Sequence, residues 1–343
     1  MIDPPLRLRL DSDALVANWR WLARMSGAAA CGAAIKANGY GLGARAVLDR
    51  LVGAGCRDFF VASWAEAQTL GKLPEGVALS VLHGVRDEDM GFAIGAQARP
   101  TLNSATQVTR WKAAGGGACD VMIDTGMNRL GLSLVDVASG LLDGLKIETL
   151  MSHLACADEN IAQNAAQQSA FAALSGKTNA KRMSLANSAG ICLGADYAFD
   201  LTRPGLALYG GIPREEAAGH IAQVAFPEAQ IVQRRRIAVG ESVGYNATFT
   251  ATRDRELAIL NIGYADGYWR GFSNTGAAGE EHFPVIGRVS MDLIAVCVDA
   301  EPALGEGDWL TLDYDLPSAT AVSGLSQYEL LTGLGDRFKR DWT

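Results

Sequence analysis

No stretch of the sequence is apolar for long enough to form a membrane span or the core of a secretory signal, and the first ten residues alternate Arg with Leu after two prolines. Basic runs are missing as well: 30 Lys and Arg stand against 38 Asp and Glu, a net charge of -8. Without a basic patch there is no electrostatic footprint for a phosphate backbone, which argues against a nucleic-acid partner, and a small-molecule substrate fits better. Cysteine is sparse. Cys31, Cys56, Cys119, Cys156, Cys192 and Cys297 show no C-x-x-C or C-x-x-H spacing, so neither a metal site nor a disulfide framework is expected. They read as buried thiols of a protein that works in the reducing cytoplasm. Low-complexity segments and internal repeats are also lacking, and with 49% hydrophobic and 20% charged residues the chain is expected to fold throughout.

At 343 residues the chain exceeds the usual size of one domain. Between about residues 11 and 225, short apolar runs alternate with helix-like segments, the signature of repeated βα units. Eight strands are expected, at 28–35, 58–62, 77–82, 98–102, 119–123, 146–151, 182–186 and 206–209. The spacing suits a (β/α)8 TIM barrel. Asp11 caps an opening helix with Leu15, Trp19 and Leu22 on one face, and Ser63 with Glu66 and Ser104 with Gln107 match the capping box. From 226 to 343 the texture becomes β-branched and turn-rich, as at 230–239, 257–262 and 283–289, which predicts a mainly-β carboxy-terminal domain. The strand within residues 1–10 is expected to pair with it.

Active sites of barrels lie at the carboxyl ends of the strands. Unusual polar residues cluster there: Lys36 after the first strand, Asp124 and Arg129 after the fifth, His153 after the sixth, Asn187 and Ser188 after the seventh, and Arg203, Gly205 and Tyr209 around the eighth. Desolvation at a barrel mouth would lower the pKa of Lys36 and favour the neutral, nucleophilic amine, although a single lysine at a strand end is more simply read as solvated. The glycines at 39, 41 and 43 lack the last step of a dinucleotide fingerprint, and no Walker pattern is present.

Seven blocks in order carry a resemblance: IKANGYGLG (35–43), IDTGMNRLG (123–131), SHLA (152–155), ANSAG (186–190), RPGLALYG (203–210), IGYADG (262–267) and GRVSMD (287–292). Together they resemble the alanine racemase family over nearly the whole chain. The resemblance implies a pyridoxal-phosphate enzyme that interconverts L-alanine and D-alanine, supplying D-alanine for peptidoglycan, and a homodimer whose active sites use residues of both chains.

By the same resemblance, Lys36 holds the cofactor and is the base on the D-alanine side, and Tyr264 is the opposing base. Racemisation needs a proton removed from one face of Cα and returned to the other. A phenol of ordinary pKa, about 10, needs help from nearby cations or hydrogen bonds to play that part. Arg203 is similar to the arginine facing the pyridine nitrogen, where a guanidinium would leave the ring largely unprotonated. His153 resembles the residue packed on the ring, though alone it is also read as a structural imidazole. Asn187 belongs to the same cofactor shell. Tyr40, Tyr328, Ser188 and the N–H groups of Gly205 and Leu206 are implied to hold the phosphate, and Arg129 with the backbone of Met291 the substrate carboxylate, with Arg288 and Asp292 as neighbouring support. Many family members carry a carbamylated lysine two residues before the Asp-Thr-Gly-Met block to orient the arginine. This chain has Met122 there, so another group, Asn128 by expectation, must orient Arg129. A racemase of broader specificity, for serine or lysine, a non-catalytic barrel and a decarboxylase are the competing readings. The last needs an acidic partner where Arg203 stands.

Overall fold

The computed structural model describes residues 3–343, so Met1 and Ile2 of the expected amino-terminal strand segment lie outside the described residues. The chain divides into two compact units. One comprises Leu15–Leu208 and Ile212–Ala222; the other holds the residues up to Ala14, Tyr209–Gly211 and Gln223–Thr343. No helix among the described residues is long and apolar enough to cross a membrane.

β1 (Leu6–Leu10) belongs to the second unit, and its alternation is read directly in burial: Leu6, Leu8 and Leu10 are buried while the arginines face the other way. The helix Ser12–Met25 follows, with Asp11 Oδ1 accepting the Ala14 N–H at 2.8 Å.

The first unit is a closed barrel of parallel strands. β2 (Ala30–Cys31) and β3 (Ala33–Ala34) are one strand interrupted at Gly32, where a Cβ would meet the Asp58 carbonyl at 2.7 Å. β4 (Asp58–Val61), β5 (Ala78–Val81), β6 (Arg99–Leu102), β7 (Ala118–Met122), β8 (Lys146–Met151) and β9 (Arg182–Ser184) pair in sequence order. β10 (Leu201–Thr202) pairs with β2, and the ring closes through Asp200 N–H to Met183 O and Arg203 N–H to Ala186 O. Most strands are buried along their length, as a barrel covered outside by helices requires.

The eighth strand therefore lies at Leu201–Thr202, not at the expected 206–209, which is a 3-10 turn. Pro204 has no N–H, and the Gly205 and Ala207 N–H groups donate to Ser188 Oγ at 2.9 and 3.2 Å instead of to a neighbouring strand. The two expected capping boxes form by half. Ser63 and Ser104 accept the N–H of Glu66 and Gln107, but neither side chain returns to its cap: Glu66 accepts from Ala62 and Ala37, and Gln107 from Asn103.

In the second unit β11 (Ala225–Ile237) is the spine, antiparallel to β1 on one side. β12 (Ser242–Val243) and β13 (Phe249–Thr250) form a hairpin. β14 (Arg255–Leu260), β15 (Ala277–Ala278), β16 (Phe283–Ile286) and β17 (Ile294–Cys297) extend the sheet in the order β15-β16-β17-β14-β11-β1. β18 (Trp309–Thr311) pairs with β11, and β19 (Lys339–Trp342) lies parallel to β1 at the far edge.

Candidate active site

Lys36 leaves the barrel two residues after β3 and enters a backbone of unusual hand. Ala37, Asn38 and Tyr40 each have φ 53°, and Gly39 has φ 64°. Non-glycine residues rarely adopt this region, and three here are held in a left-handed turn. Gly39 N–H donates to Ile35 O, Gly41 N–H to Ala37 O, and Asn38 Oδ1 accepts the Ala44 N–H at 3.0 Å. The Ala37 N–H donates to Glu66 Oε1 at 2.7 Å, while Glu66 Oε2 accepts from Ala62 at 2.6 Å.

The turn sets the Lys36 ammonium among cations. Burial, then the charges of Arg129 and Arg203, lower its pKa from the usual lysine value, with Glu66 acting the other way. His153, which follows β8, is pushed down to about 3 by burial and by Arg203, Arg129 and Lys36, so its imidazole is neutral. Arg203 is buried, and among the described residues it forms no ion pair, although the charge of Asp120 reaches it. It donates to Ser184 Oγ and to the Ser152 carbonyl, and burial lowers its pKa to about 10. A guanidinium held by neutral acceptors keeps its charge for something else.

Beside this cluster, Tyr40 lies over Gly205: a Cβ at Gly205 would come within 2.2 Å of the Tyr40 hydroxyl. Ser188 Oγ collects the Gly205 and Ala207 N–H groups, so hydroxyls of Tyr40 and Ser188 converge on one stretch of backbone that includes Leu206. Asn187 takes a different place from Ser188. Its Oδ1 accepts the Gly190 N–H at 2.8 Å and caps the helix Ser188–Cys192.

Arg129 sits in a loop built on Asp124, whose Oδ1 accepts the N–H groups of Gly126, Met127 and Asn128 at 2.9, 2.9 and 3.1 Å. Arg129 is exposed, and among the described residues its side chain makes no hydrogen bond or ion pair. Met122 is buried at the end of β7. Asn128 contributes a left-handed φ of 57°, and its side chain makes no hydrogen bond to Arg129. The loop is braced from the helix Ala162–Ala172: Gln163 donates to Gly126 O at 2.9 Å and Gln167 to Thr125 Oγ1 at 3.4 Å.

In the second unit Tyr264 and Met291 are brought together by backbone. Tyr264 N–H donates to Ser290 O at 3.1 Å and Ala265 N–H to Met291 O at 3.0 Å. A Cβ at Gly263 would sit 2.3 Å from Met291 O, so only glycine permits this approach. The Met291 N–H has no partner among the described residues. Arg270 lies over the Tyr264 ring, 4.8 Å from its centroid. Asp292 pairs with Arg337 at 2.7 Å, and Arg337 also grips buried Asp266, which accepts the Gly263 N–H. Arg288 lies in the same loop as Met291. Tyr328 is exposed on the short helix Gln327–Thr332.

The sequence reading missed Glu66, taken only as a cap, and Ser152, Ser184, Gln167, Arg270 and Arg337. Ser152 stood in a recognised block. The others act across the chain, where no local pattern marks them.

Positive charge gathered where a barrel keeps its chemistry, with Glu66 the carboxylate that acts on Lys36, defines a (β/α)8 enzyme that works on an anionic group held next to an amine. Family models described as "Alanine racemase, N-terminal domain" and "Alanine racemase, C-terminal domain" match residues 10–213 and 224–342. The chain belongs to the alanine racemase family. It is 40% identical over 348 residues to an alanine racemase of Acidiphilium cryptum, covering 97% of each chain. It is 38% identical to both the biosynthetic and the catabolic alanine racemase of Agrobacterium fabrum, covering 98% of this chain and 94% and 91% of theirs. Among solved structures, an alanine racemase of Bartonella henselae with covalently bound pyridoxal phosphate superposes with TM-score 0.91 at 34% identity, covering 98% of this chain and 99% of that one.

Proposed function

We propose that this protein interconverts L-alanine and D-alanine with pyridoxal phosphate carried on Lys36, as a homodimer in which Tyr264 of a second subunit works opposite Lys36. The observation that carries the reading is the placement of Lys36 two residues after β3 at the barrel mouth, where burial and the charges of Arg129 and Arg203 hold its pKa below the usual lysine value. The family relatives support alanine as substrate, and the free state of all six cysteines fits a reducing cytoplasm.

The residues fit the cofactor. Gly205 leaves open the space that a Cβ would fill beneath the Tyr40 hydroxyl, and Ser188 Oγ, which accepts two backbone N–H groups, still has its own proton to donate to a phosphate. Tyr40, Ser188 and the Gly205 and Leu206 backbone form this cradle, with Tyr328 assigned to the same phosphate and Asn187 holding the helix start. Arg203 keeps its proton at neutral pH, since about 10 lies well above it, and would face the ring nitrogen as a donor that does not give its proton up. Neutral His153 offers a flat ring face without further positive charge.

Pyridoxal phosphate, when bound, spreads the electron pair that deprotonation leaves on the substrate α-carbon. Arg129, with the Met291 N–H of the second subunit that brings Tyr264, would hold the substrate carboxylate and fix which faces of Cα are presented. Lys36 Nζ, which holds its proton less tightly than an ordinary lysine, serves as the base on one face. Tyr264 Oη serves the other face. One takes the α-proton and the other supplies one, which inverts the centre.

Borohydride reduction of the purified protein followed by peptide mapping tests the assignment. A pyridoxyl group on Lys36, with conversion of either alanine enantiomer to the racemate, is the expected result; a label elsewhere, or no conversion, overturns it.

A further inference from the structure

Glu66 touches the segment carrying Lys36 through a backbone N–H group, and its other carboxylate oxygen takes a second N–H from the end of a neighbouring strand. Oε1 accepts from Ala37 and Oε2 from Ala62, so one carboxylate ties the residue after Lys36 to the end of the neighbouring barrel strand β4. The tie falls at the first residue of the left-handed turn, where φ is 53°. Three non-glycine residues in this region carry strain of order 1–3 kcal/mol each, which persists only where surrounding contacts over-determine it. Ala37 itself is exposed. The same turn ends at Tyr40, whose hydroxyl must stand over Gly205.

We propose that Glu66 is a positioning residue: its carboxylate pins the Ala37 N–H, holds the left-handed turn that aims both Lys36 and Tyr40, and supplies the negative charge that faces the Lys36 ammonium. Two effects follow, and they separate by chemistry. The pinning depends on acceptor oxygens, so Glu66→Gln, which retains one, loses part of it and Glu66→Ala loses all. The charge depends only on ionisation, so both variants lose it equally. The groups facing Lys36 are Arg129 after β7, Arg203 after β10, His153 after β8 and Glu66 on the helix Trp64–Leu70. Without Glu66 only the cations remain, and the Lys36 amine deprotonates at lower pH.

A control exists in the next βα unit but one, where Gln107 makes the equivalent contact to Asn103 N–H without touching the Lys36 turn. Gln107→Ala removes a helix-start brace of the same kind.

This proposal rests on Lys36 being the cofactor lysine, and its test is arranged to fail separately. In the cofactor-free full-length protein, amide hydrogen exchange of the peptide spanning residues 35–41 is measured together with the pH dependence of Lys36 acylation by acetic anhydride, read by peptide mass spectrometry. Exchange should accelerate in the order wild type, Glu66→Gln, Glu66→Ala, while Gln107→Ala leaves that peptide unchanged. The Lys36 labelling profile should move to lower pH by the same amount in Glu66→Gln and Glu66→Ala. Retention of pyridoxal phosphate, followed by its visible absorbance on dialysis, should weaken about 10- to 100-fold in Glu66→Ala, the range expected for losing a hydrogen bond to a charged group. Unchanged exchange and an unchanged Lys36 profile in Glu66→Ala would overturn the role of Glu66 whatever the cofactor does. Wild-type protein that takes no pyridoxal phosphate on Lys36 would overturn the functional reading and leave the exchange result standing.

Discussion

Lys36 and Tyr264 are assigned opposite faces of one carbon, and removing either hydroxyl or amine leaves a distinctive residue of activity. Tyr264→Phe should slow racemisation in both directions, by about 100-fold or more for loss of a positioned acid–base group. Exchange of the α-proton with solvent should persist on D-alanine, through Lys36, and be largely lost on L-alanine; equal loss on both, followed by proton NMR in deuterated water, would refute the assignment of sides. Met122 makes a second prediction. A thioether forms no carbamate, so exhaustive removal of carbon dioxide from buffer should leave activity unchanged, and a bicarbonate-reversible loss would show that another lysine has taken the role. The residues behind both predictions were legible because each stands in a short block next to a strand end. Glu66 was not, since its Ser63 pairing gave a sufficient local explanation and the Ala37 contact crosses 29 positions of sequence. The anchoring of Arg203 by Ser152 and Ser184 was hidden in the same way.

Seven of the eight barrel strands were legible as elements because buried parallel strands are continuous apolar runs. The eighth was misread for the same reason: Leu206-Ala-Leu-Tyr209 is apolar and short, and periodicity alone does not separate such a run from a buried turn. The strand that closes the ring is only Leu201–Thr202. Pro204, directly after Arg203, was the available signal that hydrogen bonding in the strand stops there. What the turn accomplishes is to bring Gly205 under Tyr40, which is testable at that element. Gly205→Ala places a methyl 2.2 Å from the Tyr40 hydroxyl. The ring must shift, the cradle loses a donor, and affinity for pyridoxal phosphate should fall about 10-fold or more in a spectrophotometric titration. The position does not require a left-handed φ, so thermal stability should change little. A variant that keeps wild-type affinity would remove Tyr40 from the phosphate site.

Across the whole molecule, the cationic barrel mouth makes stability depend on acid. His153 binds a proton near pH 3 when folded and near 6.5 when unfolded. Its contribution is complete above pH 6.5, and below that the unfolded chain takes up a proton that the native chain refuses. Stability therefore falls as the pH drops, by up to about 1.4 kcal/mol per unit. Lys36, also lowered, acts with the same sign below its unfolded value. Urea midpoints of the cofactor-free protein should be lower at pH 5 than at pH 7, and His153→Asn should flatten the difference; an equal slope in that variant would assign the acid sensitivity elsewhere. The placement of β1 has a consequence of another kind, in time. Leu10 is paired with Ala225, so during translation at roughly 5–20 residues per second β1 emerges some ten to forty seconds before its partner strand exists. A bare apolar strand would invite pairing with other nascent chains for all of that interval. Arg7 and Arg9, which later settle on Glu228, Trp309 and Phe226, guard the waiting strand, so the alternation that places three leucines in the finished sheet also keeps the unfinished one solitary.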